Sequence, residues 1–234
     1  MAYTRYLFAA RHARGRDVLE VACGSGQGLG ILRSAARRVV GGDYTESVLS
    51  AAQRHYRERV PIVRLDGHAL PFPAGRFDLA VLYEAIYYLA RPAEALAECR
   101  RVLRPGGQLI VGTVNCRRPG FNRSPFSIHY PDARELRQML ERAGFTVEMY
   151  GAYPDRQSSA VSRLVSAVRW GAVTLHLVPR TMKGKEALKR LFYGDLLEVP
   201  AELPAPARAV SEPQPLTDPD DTSVKVLYSV GTVA

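Results

Sequence analysis

Residues 17–28 read DVLEVACGSGQG, and the fold turns on how that stretch is parsed. A β-prone apolar run enters a loop with glycine at every second position: Gly24, Gly26 and Gly28. Such a junction binds nucleotide-like cofactors. A P-loop is excluded, because no Lys-Ser or Lys-Thr pair follows the glycines. The dinucleotide fingerprint GxGxxG fails in both registers, since its third small residue would be Leu29 or Ile31. What remains is a cofactor without a pyrophosphate, whose amino-acid and ribose portions pass over a backbone free of Cβ atoms at Gly24 and Gly26. Glu20, at the end of the strand, offers an anion to a cationic amino-acid moiety.

The surrounding sequence repeats the strand-then-helix rhythm. Apolar β-rich runs at 17–22, 38–43, 61–65, 77–83 and 107–114 lack alternation, as expected of parallel strands buried on both faces. Helical patterns fill 27–36, 45–57, 92–103 and 132–144, with Thr45 and Asp132 as caps, Pro92 in a first turn and Gly144 as a stop. A strand over 145–153 follows, and SVKVLYSVGTVA at 223–234 closes the chain as another. These elements predict an α/β fold with a doubly wound sheet. Residues 1–234 then form one domain. Residues 154–222 are an insertion before the last strand, serving as a substrate lid or a dimer contact. Its apolar helix, with Trp170 and Phe192, would roof a cleft.

Composition narrows the function classes. Of 234 residues, 47% are hydrophobic, and no run reaches the ~20 apolar residues of a membrane span. The start lacks the form of a signal peptide, so the expected location is the cytoplasm, as a monomer or homodimer. Cys23, Cys99 and Cys116 show neither disulfide nor zinc spacing, and no metal site is expected. The net charge of +9 is carried mostly by Arg scattered over the first 153 residues. RRVLR at 100–104 and CRR at 116–118 are read as solvated surface, which makes a nucleic-acid partner unlikely.

Three carboxylates recur where ligands bind in an open α/β sheet, at the carboxyl ends of successive strands. They are Glu20, Asp43 in VVGGDYT, and Asp66 in LDGHALPF. Asp43 can accept both ribose hydroxyls, Tyr44 can pack an adenine face, and Asp66 can accept from an adenine amino group.

In order and spacing, VLEVACGSGQG, GGDYT, RLDGHALPFPAGRFDLAVLYEAIYYL and RVLRPGGQLIV resemble the class I S-adenosylmethionine-dependent methyltransferases over about residues 15–153. The resemblance implies that the sheet is Rossmann-like and mainly parallel, of seven strands with an antiparallel last strand. It also implies S-adenosylmethionine as cofactor, with S-adenosylhomocysteine as product. It carries Glu20, Ala22, Cys23, Gly24 and Gly26 to the methionine end, Asp43 and Tyr44 to the nucleoside, and Asp66, Gly67 and His68 to the adenine. Glu84 falls where the methyl-donor end is lined. Tyr87 and Tyr88 stand where some quinone-pathway relatives carry metal-associated Glu-His. The implied activity is methyl transfer to oxygen or nitrogen of a small molecule in secondary or cofactor metabolism. RNA or protein methylation and a non-catalytic cofactor-binding role are the alternatives. Candidates for a general base are His129 and Glu84, with Tyr87, Tyr88 and Tyr130 as aromatic lining. His55 is expected on the surface and His176 in the core.

Overall fold

The computed structural model describes residues 2–154, 200–204 and 212–233. Trp170, His176, Phe192 and most of the expected 154–222 insertion lie outside the described residues. Five parallel strands, β1 (Asp17–Val21), β2 (Arg38–Asp43), β3 (Ile62–Arg64), β4 (Phe77–Tyr83) and β5 (Leu103–Val114), form the first part of one sheet. β6 (Phe145–Pro154), β7 (Gln214–Pro215) and β8 (Val224–Val233) complete it in the order β3-β2-β1-β4-β5-β8-β6-β7. β8 runs antiparallel to both β5 and β6, as the sequence led one to expect of the last strand. The eighth strand, β7, is a two-residue addition at the edge beside Tyr150 and Gly151.

Helices cover both faces because the central strands are apolar on both. All five residues of β1 are buried, and Leu79, Ala80, Val81 and Leu82 of β4 are at most 1% exposed. On one face α4 (Pro92–Val102) and α5 (Ala133–Arg142) pack Leu96, Cys99, Val102, Leu136 and Leu140 against the sheet. On the other, α1 (Ala2–Ala13), α2 (Leu29–Ala35) and α3 (Glu46–Tyr56) contribute Tyr6, Phe8, Leu29, Leu32, Leu49 and Tyr56. The sequence reading treated the first sixteen residues only as a non-signal segment and missed α1. Its helix period is carried by Tyr6, Ala9 and Ala13, small or polar-tipped residues that give a weak stripe. At α5 the expectation holds in detail: Asp132 and Glu135 form a reciprocal capping box, and Gly144 takes φ 86° just beyond the helix. Thr45 is the N-cap of α3, but its side chain makes no capping bond. No helix among the described residues is long and apolar enough to cross a membrane.

At the amino end of the sheet, several arginines that look scattered in the sequence meet two aspartates. Asp17, 3% exposed, accepts from the Arg37 fork (3.0 and 2.8 Å), from Arg76 (2.9 Å) and from Arg104 (3.4 Å). Those guanidiniums, Arg37 first, hold its carboxyl down at about 2 despite burial. A carboxylate whose folded pKa is depressed stabilises the fold above its unfolded value and ceases to do so as pH falls. Asp17→Asn should therefore cost about 2 kcal/mol at pH 7. The difference from wild type in urea denaturation should shrink as the pH is lowered from 4 toward 2. A gap that does not change with pH would mean that packing, not charge, holds this corner.

Candidate functional site

The order of the strands places a crevice between β1 and β4. From β1 the chain winds outward one way through β2 and β3, and the other half, β4 and β5, lies on its opposite side. Ligands of open α/β sheets bind outside the carboxyl ends at such a reversal. Both strands end here on left-handed residues, Ala22 (φ 61°) and Glu84 (φ 53°). For a residue with a Cβ that backbone costs roughly 1–3 kcal/mol and persists only where neighbours enforce it.

Three of the four glycines here answer to different neighbours, and the fourth to none. At Gly24 (φ 57°) a Cβ would project into open space, so this backbone is bare. At Gly26 (φ 79°) a Cβ would press on Tyr56 at 2.9 Å; the Tyr56 hydroxyl donates to the Gly26 carbonyl (2.7 Å) and accepts from the Gly30 N–H (3.1 Å). At Gly28 a Cβ would lie 2.0 Å from the Tyr6 ring, and at Gly30 it would lie 1.7 Å from Glu202 Oε1. The last contact belongs to residues 200–204: the Leu203 N–H donates to the Gln27 carbonyl (2.8 Å), and Glu202 meets His55 (2.7 Å) and Arg59 (3.2 Å). His55, expected to be a surface residue, is thus part of the brace behind the loop. Asp43 braces it from the front. Its Oδ2 accepts the Gly24 N–H and its Oδ1 the Thr45 N–H, both at 2.8 Å.

The helix absent from the sequence reading supplies two further groups. The Tyr6 hydroxyl donates to Glu20 Oε1 (2.7 Å), while Glu20 Oε2 has no partner and the residue is 1% exposed. Burial pushes the Glu20 carboxyl up to about 8, against the opposing pull of the Tyr6 hydroxyl and Arg5. Burial thus works against the anion that the sequence led one to expect at this position. Arg5 reaches Glu84 Oε1 (3.1 Å), and the Tyr87 hydroxyl donates to Glu84 Oε2 (2.8 Å). Glu84 therefore faces the crevice with both oxygens already engaged. No motif in the sequence links residues 5 and 84; only the packing of α1 across the strand ends brings them together.

Farther along the rim, Tyr44 is 66% exposed with the Arg64 guanidinium 5.9 Å from its ring centre, which leaves one face free for a planar ligand. Asp66 Oδ1 accepts from the His68 N–H (2.9 Å) and meets its Nδ1 (2.7 Å); these contacts hold its carboxyl below the ordinary range. Gly67 packs beside Val21 and Leu89. Cys23 turns its thiol into the core, 6% exposed, so it offers the crevice only backbone. His129 Nε2 lies 3.1 Å from Glu135 Oε2 at the start of α5, with a side chain 65% exposed. That contact spends the imidazole on the helix cap, and no contact joins it to Glu84. Among the described residues no cluster of His, Cys, Asp and Glu could hold a metal ion.

These groups fit the expected cofactor. The open cradle at Gly24, the unpartnered Glu20 oxygen and the carboxylates of Asp43 and Asp66 lie at neighbouring strand ends. Comparison with known proteins agrees. Residues 19–111 match a family described as "Methyltransferase domain". A probable S-adenosylmethionine-dependent methyltransferase of Mycolicibacterium smegmatis is 40% identical over 147 residues, which cover 61% of this chain and 57% of that one. A demethylmenaquinone methyltransferase of Renibacterium salmoninarum is 29% identical over 79% of this chain and 77% of its own. The chain thus spans little more than half the length of the first of these relatives. Among solved structures the cyclase SpnF superposes with a TM-score of 0.61 at 22% identity, over 96% of this chain and 79% of its own; at that identity the likeness is one of fold.

Two expectations follow for the loop. Gly28→Ala should destabilise the fold by roughly 1–3 kcal/mol through overlap with Tyr6, and most of that loss should vanish in a Tyr6→Ala background. Additive losses in such a double-mutant cycle would remove Tyr6 as the cause. For Glu20 the sign runs the other way from Asp17. A carboxyl raised to about 8 takes up a proton on folding between about 4.5 and 8, so stability falls as pH rises through that window. Glu20→Gln should abolish that part of the slope in denaturation curves taken from pH 5 to pH 9; an unchanged slope would show that Glu20 is ionised in the folded state.

Proposed function

We propose that this chain, a member of the class I S-adenosylmethionine-dependent methyltransferases, transfers a methyl group to oxygen or nitrogen of a small-molecule acceptor. S-adenosylmethionine is the cofactor of that family, and when bound it supplies a methyl group already activated on a sulfonium. The observation that carries the reading is the bare backbone at Gly24, held in place by Asp43 at the reversal of strand order. Glu20, Gly24 and Gly26 would hold the amino-acid portion, Asp43 and Tyr44 the nucleoside, and Asp66 with Gly67 and His68 the adenine. The relative named as a demethylmenaquinone methyltransferase supports a small ring compound as acceptor.

The protein's own contribution is then alignment. Holding two reactants in line removes roughly 7–11 kcal/mol of barrier without any side chain exchanging a proton. Glu84 is suited to orientation, because Arg5 and Tyr87 occupy both of its oxygens. His129 is left as a rim residue. A second reading is favoured by one comparison: SpnF, whose solved structure shares this fold, is named a cyclase, so such a fold also serves other chemistry. Methylation of RNA draws no support from the amino-end arginines, because Arg37, Arg76 and Arg104 converge on Asp17.

Calorimetry with S-adenosylmethionine should give binding to wild type, and Asp43→Ala should weaken it by roughly ten-fold or more. Wild-type affinity in that variant removes the assignment of Asp43. Incubation with methyl-labelled cofactor and a panel of hydroxylated ring compounds should then label at least one of them. Tight binding with no transfer to any acceptor would move the conclusion to the second reading.

A further inference from the structure

One cationic group near the crevice has nothing to balance it among the described residues. The Arg118 Nε is shut off from solvent without a hydrogen-bond partner, and its guanidinium makes no ion pair among the described residues. A buried donor left unpaired is costly, so it calls for an explanation. The turn that carries it is held firmly: Asn115, 2% exposed, donates to the Asp221 and Val224 carbonyls (2.9 and 3.0 Å) and accepts from the Arg117 N–H (3.0 Å). Arg117, next in line, is spent on Asp132. Arg118 thus follows the carboxyl end of β5, the strand next to the crevice strand β4, with no charge to compensate it among the described residues.

From this turn a path of aromatic rings leads to Glu84. The Phe121 N–H donates to the Arg118 carbonyl; the Phe121 ring meets Tyr130 edge-on (4.8 Å), and Tyr130 stacks on Tyr87 (4.2 Å, 26°), the residue that donates to Glu84. Tyr88 packs on Tyr87 (4.5 Å) and is 45% exposed; Phe126 and Ile128 are 70% and 52% exposed, and Ile128 is tied to the Tyr87 carbonyl (2.8 Å). Residues 115–131 contain Arg117, Arg118 and Arg123 and no acidic side chain. The rim on this side is aromatic and positive.

We propose that Arg118 is the anion anchor of the acceptor site, and that the acceptor is a ring compound bearing a carboxylate, its ring laid against Tyr88 and its carboxylate on the Arg118 guanidinium. A planar guanidinium matches a carboxylate with two parallel hydrogen bonds, and tyrosine offers a flat face to a ring. The proposal rests on the methyl-transfer reading above and adds to it the chemical class of the acceptor.

The test uses the full chain saturated with S-adenosylhomocysteine, which prevents turnover, titrated calorimetrically with 3,4-dihydroxybenzoate and with its methyl ester. Wild type should bind the acid roughly ten-fold more tightly than the ester, because only the acid presents an anion. Arg118→Gln should bring the two affinities together, Arg118→Lys should keep part of the preference, and Arg14→Gln, on the far side of the sheet, should keep all of it. Unchanged S-adenosylhomocysteine affinity in Arg118→Gln shows that the variant is folded. Equal binding of acid and ester by wild type, a preference that survives Arg118→Gln, or no binding of either at millimolar concentration would overturn the proposal. Failure of wild type to bind S-adenosylhomocysteine would instead bring down the methyl-transfer reading beneath it.

Discussion

One carboxylate ties the whole crevice together. Asp43 accepts the N–H of Gly24 from the loop after β1 and the N–H of Thr45 from the loop after β2. Two chain segments that leave adjacent strands are thereby fixed to each other. With the front of the glycine loop set in this way, its back can be packed closely: Tyr56 on Gly26, Tyr6 on Gly28, Glu202 on Gly30. Only Gly24 is left facing open space. The alternating glycines are thus one position open to space and three tight packing contacts, each with a different part of the chain.

The two glutamates of the site show how the same functional group is given different characters. Glu20 is stripped of water beneath α1, which pushes its carboxyl up. Glu84, one strand away, is neutralised by a guanidinium that the same helix delivers. Successive residues of α1 reach the two glutamates: Arg5 pairs with Glu84, and the Tyr6 hydroxyl donates to Glu20, opposing the upward push of burial.

The parallel strands, α3, α4, α5 and the three strand-end carboxylates were legible in the sequence, because each rests on a local pattern: an apolar run, a capping pair, an acid just past a strand. What was not legible depends on contacts between distant segments. Arg5 and Glu84 are seventy-nine positions apart, and nothing near either one marks the other. Cys23 sits inside the motif but turns its side chain to the core, which a spacing rule does not reveal. His129 was a candidate base or a positioning or capping residue; its partner Glu135 belongs to the cap of the helix that follows. His55 had the periodicity of a surface residue; its partner, Glu202, comes from the other end of the chain.

Both ends of the long excursion between β6 and β8 are moored on the cofactor half. Tyr153, at the end of β6, bonds to Thr4 of α1, and Leu203 bonds to Gln27 of the glycine loop. The glycine loop and the helix that covers it are therefore held in part by residues far along the chain, so a change near Glu202 or Leu203 acts on the cofactor half although it lies about 170 positions from it in sequence.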